Sequence, residues 1–169
     1  MNINNEALIQ FLNDIYQDMI FTVLNNQEIK EIEDFYKTLS LSLEKYLLKP
    51  IHSVEELIAL KNDVLKKECE FWGLYKDDKF IAGALMFYFN NAKVAHAQYL
   101  CALPEYNKLS PVTYMYYCMI IEMKKKDFKK LSWGISSEHG GKVLNMGLTK
   151  NKEAYGSQYS INRIYSKEL

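Results

Sequence analysis

Two polar side chains stand two residues apart near the middle of the chain. His96 and Gln98 lie in the segment VAHAQYL, which is predicted to be a β-strand. Alternate residues of a strand point to one face, so His96 and Gln98 should share a face, with Tyr99 on the other unless a bulge intervenes. Imidazole titrates near neutral pH, which makes His96 a candidate base or ligand contact. The alternative is a buried histidine that is hydrogen-bonded within the sheet.

A carboxylate and two hydroxyls follow the next predicted strand. Glu138, Ser136 and Ser137 lie in ISSEHGG, directly after the strand predicted from KKLSWGI. Ligands of open α/β sheets collect at the carboxyl ends of strands. Glu138 is therefore a candidate base or amine-binding group, and the two serines are candidate contacts to a substrate oxygen. The alternatives are a loop carboxylate that caps the following helix and two ordinary turn serines.

The cysteines exclude two kinds of site. Cys69, Cys101 and Cys118 are widely spaced, odd in number and form no CxxC pair. This pattern indicates neither a zinc cage nor a disulfide framework, and it favours a reducing, cytoplasmic location. None of the three lies at a recognisable spacing from a histidine, so we expect no metal and no covalent intermediate on sulfur.

The charge balance limits the class of partner. The 169 residues include 21 Lys and Arg against 21 Asp and Glu, which gives a net charge of zero. Nucleic-acid-binding proteins usually carry a basic surplus or a basic face, so the balance argues against a polyanion as main partner. The 49% hydrophobic and 25% charged content is typical of a folded domain. No stretch reaches the ~18 apolar residues of a membrane span, and no signal peptide is expected.

Helical periodicity dominates the first third of the chain. Apolar residues at steps of three and four predict amphipathic helices over residues 5–24 and 28–48. Pro50 is expected to stop the second of them. Ser53 and Glu56 form a predicted capping box for a third, short helix.

The rest of the chain predicts a sheet with one long crossover helix. In order, it predicts three antiparallel strands, a helix, a strand, a short helix and a last strand, at residues 69–76, 79–89, 92–102, 111–126, 130–135, 142–155 and 157–165. We therefore predict an α/β (α+β) fold, with a mixed, mainly antiparallel sheet that is flanked by helices and preceded by an N-terminal helical segment.

The order of these elements and several segments resemble the GNAT-fold acyltransferases, in particular the FemAB-like branch found with surface-polysaccharide and cell-wall genes. The segments are KPIHSVEEL, FWGLYKDDKFIAGALMF, VAHAQYL, WGISSEHGGKVLNMGLTKNKEAYG and the closing strand at Tyr165. The resemblance covers about residues 28–169 and implies one GNAT-like domain over residues 1–169. Its parts would be an unmatched N-terminal helix, further helices and a sheet core, at residues 1–27, 28–68 and 69–169.

The resemblance implies a binding site for acetyl-CoA. Strands 93–102 and 130–135 would splay apart, and the pantetheine arm would enter the wedge between them. The implied contacts are three strand residues and three at the start of the following helix, namely Leu100, Cys101, Ala102, Ser110, Pro111 and Val112. Ser110 is predicted to be the N-cap and Pro111 the first helical residue. The segment CALPEYNKLSPVTY departs from the family because it lacks the glycines that usually approach the pyrophosphate.

The same resemblance implies acetyl transfer to an amine by direct attack. The acceptor would be a small molecule, such as an amino sugar of a surface polysaccharide. Glu138 and His96 would be catalytic, and the implied substrate contacts are Gln98, Ser136, Ser137, His52, Asn145 and Lys152. A structural loop role for His52 and a helix salt bridge for Lys152 are the alternatives.

Two other functions stay open at this point. One is aminoacyl transfer from tRNA, against which the zero net charge counts. The other is a non-catalytic GNAT-like binding module, which the missing glycines keep open. Many members of this branch carry two GNAT-like halves and this chain has one, so the half would act alone, act as a homodimer or be a truncated form.

Overall fold

The computed structural model describes residues 10, 12, 14–24, 29–161 and 165. The described chain divides into a larger unit that ends at Gly134 and a smaller one that begins at Ile135. Each unit is described by itself. The expectation of a single domain over the whole chain stays a prediction.

Within the described residues, the larger unit is built on a five-stranded sheet of order β1-β2-β3-β4-β5. Strands β1 to β4 are antiparallel, and β5 runs parallel to β4. The strands are β1 (Met19–Val23), β2 (Cys69–Lys76), β3 (Lys79–Phe89), β4 (Val94–Ala102) and β5 (Lys130–Ser132). This confirms the mixed, mainly antiparallel sheet and the predicted bounds of β2 and β3. Strand β4 begins at Val94 rather than at residue 92, and β5 ends at Ser132 rather than at residue 135.

Among the described residues, three helices with complete bounds flank this sheet. They are α1 (Ile29–Glu44), α2 (Val54–Ala59), which continues as a π-helical turn (Leu60–Val64), and α3 (Pro111–Lys125). Short 3-10 segments occur at Asn90–Ala92 and Pro104–Leu109. The predicted capping box begins α2, since the Glu56 amide donates to Ser53 Oγ at 3.2 Å and the Ser53 amide to Glu56 Oε2 at 2.8 Å. The helix predicted to run to residue 48 ends at Glu44, because the chain turns there and Leu47 takes a φ of 58°.

The core lies between the sheet and the first two helices. Phe35 of α1 and Leu57 of α2 pack with Phe71, Leu85 and Cys101 from the strands. Burying side chains of this size supplies most of the stabilising free energy of the unit. Residues that alternate with these, such as Trp72 and Met86, are buried on the opposite face of the sheet.

The first predicted helix is wrong at its carboxyl end. Residues 10, 12, 14 and 15 are helical, but Met19–Val23 form β1, which pairs with β2. The remaining residues of that prediction before Tyr16 lie outside the described residues. The β-branched and aromatic side chains of MIFTV fit a strand, and an available edge on β2 decides between the two conformations.

A partly buried ion pair joins the end of α3 to the sheet. Glu70 Oε2 accepts hydrogen bonds from Lys126 Nζ at 2.6 Å, Tyr88 Oη at 2.6 Å and Trp72 Nε1 at 3.1 Å. Burial alone would raise the pKa of Glu70, but the hydrogen bonds from Lys126, Tyr88 and Trp72 outweigh it and lower the pKa below 4.5. Lys126 also stands 5.0 Å from the centre of the Tyr88 ring. The network fixes the helix against β2 and β3.

This network makes stability depend on pH. A carboxyl group whose pKa is lower in the folded state stabilises it above its unfolded pKa, and this contribution is lost as pH falls through the folded pKa. We expect Glu70→Gln to lower the free energy of unfolding by about 1–3 kcal/mol at pH 7, because Lys126 and Tyr88 lose a charged acceptor. The difference in the free energy of unfolding between wild type and Glu70→Gln should become smaller as the pH falls below 4.5. Urea unfolding from pH 7 to pH 3 measures it.

The control is Glu33→Gln, a change of the same kind at an exposed position of α1. It should follow the wild-type curve at every pH. If the free energies of unfolding of wild type and Glu70→Gln changed with pH in parallel, the assigned role of Glu70 would be contradicted.

The smaller unit contains a hairpin and a helix. Strands β6 (Ser137–Glu138) and β7 (Val143–Leu144) pair antiparallel, and α4 (Met146–Ala154) follows. The helix predicted from residue 142 starts later because residues 143 and 144 belong to the hairpin. The predicted last strand is wrong over residues 157–161, which form no strand, and Tyr159 and Ile161 there are 80% exposed. Residues 162–164 of that prediction lie outside the described residues.

Candidate active site

Strands β4 and β5 part after three paired positions. The parallel ladder pairs Val94 with Lys130, Ala95 with Leu131 and His96 with Ser132. Among the described residues, no strand continues this ladder along residues 97–102 of β4. The predicted splay is therefore confirmed, and one edge of β4 offers backbone donors and acceptors to an extended ligand.

A β-bulge lies where the two strands part. Leu85 of β3 pairs with Tyr99 and Met86 pairs with Ala97, so Gln98 is an additional residue in β4. Directly paired residues of antiparallel strands share a face. His96, opposite Phe87, therefore lies on the same face as Tyr99, opposite Leu85.

This bulge corrects the expectation drawn from simple alternation. Tyr99 was predicted to lie opposite to His96, and the inserted residue reverses that relation. Because the bulge interrupts the alternation, His96 and Gln98 are no longer expected to share a face. Nothing in VAHAQYL marks the insertion, since the segment has no glycine, so the sequence carried no signal for Tyr99 as a site residue.

Two histidines on this side of the sheet are each held by a hydroxyl group. His96 Nδ1 lies 3.0 Å from Ser132 Oγ of β5, and His52 Nδ1 lies 2.8 Å from Tyr99 Oη. All four side chains are partly buried. In both histidines Nδ1 is the ring nitrogen that makes this contact.

Residues predicted to bind acetyl-CoA meet at one cavity. Its volume is about 70 Å³, and it is lined by Ser42, Lys45, Leu100, Cys101, Ala102, Pro104, Asn107 and Val112. Four of these residues, Leu100, Cys101, Ala102 and Val112, belong to the predicted set. Ser110 and Pro111 directly precede Val112. The end of β4 and the beginning of α3 therefore form one continuous surface.

Ser110, directly before α3, has an unusual backbone conformation. Ser110 takes the left-handed conformation, with φ 51° and ψ 48°, which costs a non-glycine residue about 1–2 kcal/mol. It occupies the N-cap position, as predicted, but its side chain makes no capping hydrogen bond. Pro111 is the first helical residue, as predicted. The Val112 amide lies in the first turn, where amides have no partner within the helix.

Cys101, which is among the residues that line the cavity, is a poor nucleophile. It is 1% exposed, and its Sγ contacts the Gly83 carbonyl oxygen at 3.5 Å. Burial raises the pKa of Cys101, and it raises the pKa of Cys69 to about 11 and of Cys118 to about 12. Thiols with such pKa values stay protonated at neutral pH and are not nucleophilic.

In the smaller unit, three predicted site residues lie together. Asn145 Nδ2 donates to Glu138 Oε1 at 2.7 Å, and the Asn145 amide donates to the Ser136 carbonyl oxygen at 2.8 Å. Asn145 also caps α4, since its Oδ1 accepts from the Leu148 amide at 2.8 Å. The helix cap is thus Asn145, and the exposed Glu138 carboxylate is oriented by it. Ser137 pairs with Leu144 in the hairpin.

Lys152 of α4 holds the beginning of the smaller unit. Its Nζ donates to the Ile135 carbonyl oxygen at 2.8 Å, and it is 8% exposed. Burial lowers the pKa of Lys152. This contact fixes the chain just before Ser136 and Ser137.

Two kinds of feature do not occur in the part of the chain that the structure describes. No three His, Cys, Asp or Glu side chains are grouped so that they could hold a metal ion. No helix there has the length and apolar character needed to cross a membrane.

Comparison with known families assigns the fold that combines the splayed strands, the bulge and the start of α3. The model of the acetyltransferase (GNAT) domain family matches residues 44–139, which is more than half of the chain. The chain belongs to the GNAT acetyltransferase family. No curated protein matches it.

Solved structures with a similar fold include three acetyltransferases. The aminoglycoside acetyltransferase meta-AAC0020 from an uncultured soil metagenomic sample has 11% identity and a TM-score of 0.63, over 92% of this chain and 99% of that one. The ribosomal-protein-S18-alanine N-acetyltransferase from Escherichia coli has 14% identity and a TM-score of 0.66, over 87% and 83%. The aminoglycoside 6'-N-acetyltransferase AAC(6')-Ih from Acinetobacter baumannii has 16% identity and a TM-score of 0.60, over 89% and 98%. At these identities the likeness establishes the fold.

Proposed function

We propose that this protein transfers an acetyl group from acetyl-CoA to the amine of an amino sugar, as a member of the FemAB-like branch that acts on surface-polysaccharide precursors. The observation that carries the proposal is that, among the described residues, no strand pairs with one edge of β4 over residues 97–102, shortly before the start of α3. An extended, amide-containing ligand with a negatively charged end fits such an edge, because strand groups pair with its amides and a helix start favours its charge.

The chain's own residues have distinct parts in this reaction. Leu100, Cys101 and Ala102 would line the pantetheine arm, and Ser110, Pro111 and Val112 would lie at the pyrophosphate. Acetyl-CoA supplies the activated thioester carbonyl. Glu138 or His96 would take the proton from the acceptor amine, whose nitrogen attacks the thioester carbon directly. The C–S bond then breaks, and the CoA thiolate leaves and takes up a proton. The protonated thiols support direct attack, since no nucleophilic cysteine is available.

Polar residues support a sugar as acceptor. His52, His96 and Tyr99 give one face of the sheet several hydrogen-bonding groups, as a polyhydroxylated ligand requires. The other proposed substrate contacts are Gln98 at the bulge and, within the smaller unit, Ser136, Ser137, Asn145 and Lys152. Two of the three solved structures named above are aminoglycoside acetyltransferases, and aminoglycosides are amine-bearing sugars.

Thermal unfolding with acetyl-CoA tests the donor. A ligand that binds the folded state at 100 times its Kd adds about 2.7 kcal/mol of stability, which raises the Tm of a chain of this size by roughly 5–10 °C. We expect such a rise with 1 mM acetyl-CoA and a much smaller one with ADP, which lacks the pantetheine arm. No rise with acetyl-CoA, or a rise only with aminoacyl-tRNA, would exclude the proposed donor.

An acceptor screen with radiolabelled acetyl-CoA tests the rest of the proposal. Free and nucleotide-linked amino sugars should become labelled, whereas alanine-terminated peptides serve as the comparison. Labelling of peptides alone would exclude the proposed acceptor class and leave the GNAT acetyltransferase assignment intact.

A further inference from the structure

A second cavity lies towards the carboxyl end of α3. Its volume is about 300 Å³, and it is formed by the last turns of α3, the turn that follows and the beginning of β5. The apolar side chains that line it are Ile120, Met123, Phe128 and Leu131. At about 1.5 Å per residue, Ile120 lies about 12 Å along the helix axis from Val112, which lines the first cavity. The two cavities share no residue.

The charged side chains around this second cavity are mostly cationic. Lys124, Lys129, Lys130 and Asp127 also line it. The Asp127 carboxylate forms ion pairs with Lys129 and, at 4.0 Å, with Lys93. Among the described residues, no carboxylate pairs with the ammonium group of Lys124 or Lys130, and both residues are exposed. The cavity therefore keeps an uncompensated positive charge beside its apolar walls.

The carboxyl end of α3 is capped in a way that leaves this charge positive. The Phe128 amide donates to the Met123 carbonyl oxygen at 2.9 Å, and the Asp127 amide donates to the Lys124 carbonyl oxygen at 3.2 Å. With a φ of 57° at Asp127, these bonds form a Schellman motif, which satisfies carbonyl groups that would otherwise repel an anion. The motif commonly pairs apolar residues at the positions of Met123 and Phe128, but it does not account for Ile120, which is 41% exposed.

We propose that the second cavity binds a small amphiphilic anion, namely a free carboxylic acid whose carboxylate pairs with Lys124 and Lys130 and whose aliphatic body packs against Ile120 and Leu131. The cavity volume is at the lower end of the range for ligand pockets and has room for about ten groups the size of a water molecule, at about 30 Å³ each. The carboxylate supplies the missing counter-charge, and the aliphatic body removes the exposed part of Ile120 from water. The inference is independent of the proposed acetyl transfer.

A membrane surface would need a different arrangement of apolar side chains. Those that enter a bilayer project from the protein and are exposed, whereas Met123 is 3% exposed and Phe128 and Leu131 are partly buried. A soluble ligand that enters the cavity can reach all three. A medium-chain acid such as octanoate, whose size matches the cavity, therefore serves as the probe.

Methyl NMR of the full-length protein tests the site. The chain has seven methionines, so a sample with ¹³C-labelled methionine methyl groups gives few signals, and Met123→Leu assigns that of Met123. We expect octanoate to shift the Met123 signal with a Kd of about 1 mM. The signals of Met115 and Met119, which are fully buried in the same helix and outside the cavity, should stay unchanged.

Two control ligands separate the contributions of charge and chain. Acetate has the carboxylate without the chain, and octylammonium has the chain with the opposite charge. Each should need at least about 10-fold higher concentration than octanoate to shift the Met123 signal equally. No shift of Met123 at about 20 mM octanoate, or an equal response to octylammonium, would overturn the proposal. Binding only to vesicles that contain anionic lipid, with no response to octanoate, would also overturn it.

Charge-matched variants separate the two lysine contacts from the general effect of charge. The double variant Lys124→Gln, Lys130→Gln should weaken octanoate binding at least about 10-fold. The double variant Lys30→Gln, Lys37→Gln removes two exposed charges from α1 and should leave the Kd within about 2-fold of the wild-type value. Ile120→Ser should weaken octanoate binding at least about 3-fold without changing the response to acetate. Equal weakening in the two lysine variants would contradict pairing of the carboxylate at this cavity.

Discussion

One of two substitutions, Glu138→Gln or His96→Asn, is expected to lower the rate of acetyl transfer at least about 100-fold. The affected variant is the one that lacks the side chain that accepts the amine proton. Each change keeps the local hydrogen bond. A Gln oxygen at position 138 still accepts from Asn145 Nδ2, and an Asn amide at position 96 can still meet Ser132 Oγ. What each variant loses is the ability to take a proton near neutral pH, so the loss should fall on kcat rather than on the affinity for acetyl-CoA.

The measurement is the steady-state release of CoA with an amino sugar that the acceptor screen identifies. The matched control is His139→Gln, at the third histidine of the chain, which lies exposed in the turn of the hairpin. It should react at the wild-type rate. Wild-type kcat in both Glu138→Gln and His96→Asn would remove the two residues from the catalytic machinery.

Local signals explain what could be predicted of the fold. The capping box at Ser53 and Glu56 and the proline at the start of α3 are set by neighbouring residues, and both occur as predicted. The meander of β2 to β4 follows from alternation within each strand and from short polar turns. The splay of β4 from β5 came from the family resemblance, since the strand sequences contain nothing that predicts it.

Tertiary context explains what could not be predicted. MIFTV continues an apolar pattern that suits a helix, and an open edge on β2 makes it a strand instead. Residues 157–161 have strand-forming side chains but no paired neighbour among the described residues. The inserted Gln98 changes the face of Tyr99 and so adds a residue to the candidate site. A one-residue insertion of this kind depends on the pairing of two strands, which one strand's sequence does not encode.

Val112→Glu is expected to weaken acetyl-CoA binding at least about 10-fold while the protein stays as stable as the wild type or becomes slightly more stable. The substitution weakens binding but not stability, because the new carboxylate meets the ligand's pyrophosphate in the first case and the dipole of α3 in the second. The first turn of α3 has no acidic residue. A carboxylate there interacts favourably with the helix dipole, by about 0.3–1 kcal/mol. The same charge repels a pyrophosphate placed over the amides of that turn.

Matched measurements separate this repulsion from a loss of packing. Val112→Gln introduces a side chain of the same size and shape as Glu without the charge, so its Kd for acetyl-CoA should stay within about 3-fold of the wild-type value. The defect of Val112→Glu should become smaller in 1 M salt, where the screening length falls to about 3 Å, and that of Val112→Gln should not change in the same way. Equal, salt-independent weakening in both variants would mean that bulk at position 112 disturbs the cavity beside Leu100 and Ala102. Unchanged binding in both would place the phosphate groups away from α3, and the free edge of β4 would then need a different ligand.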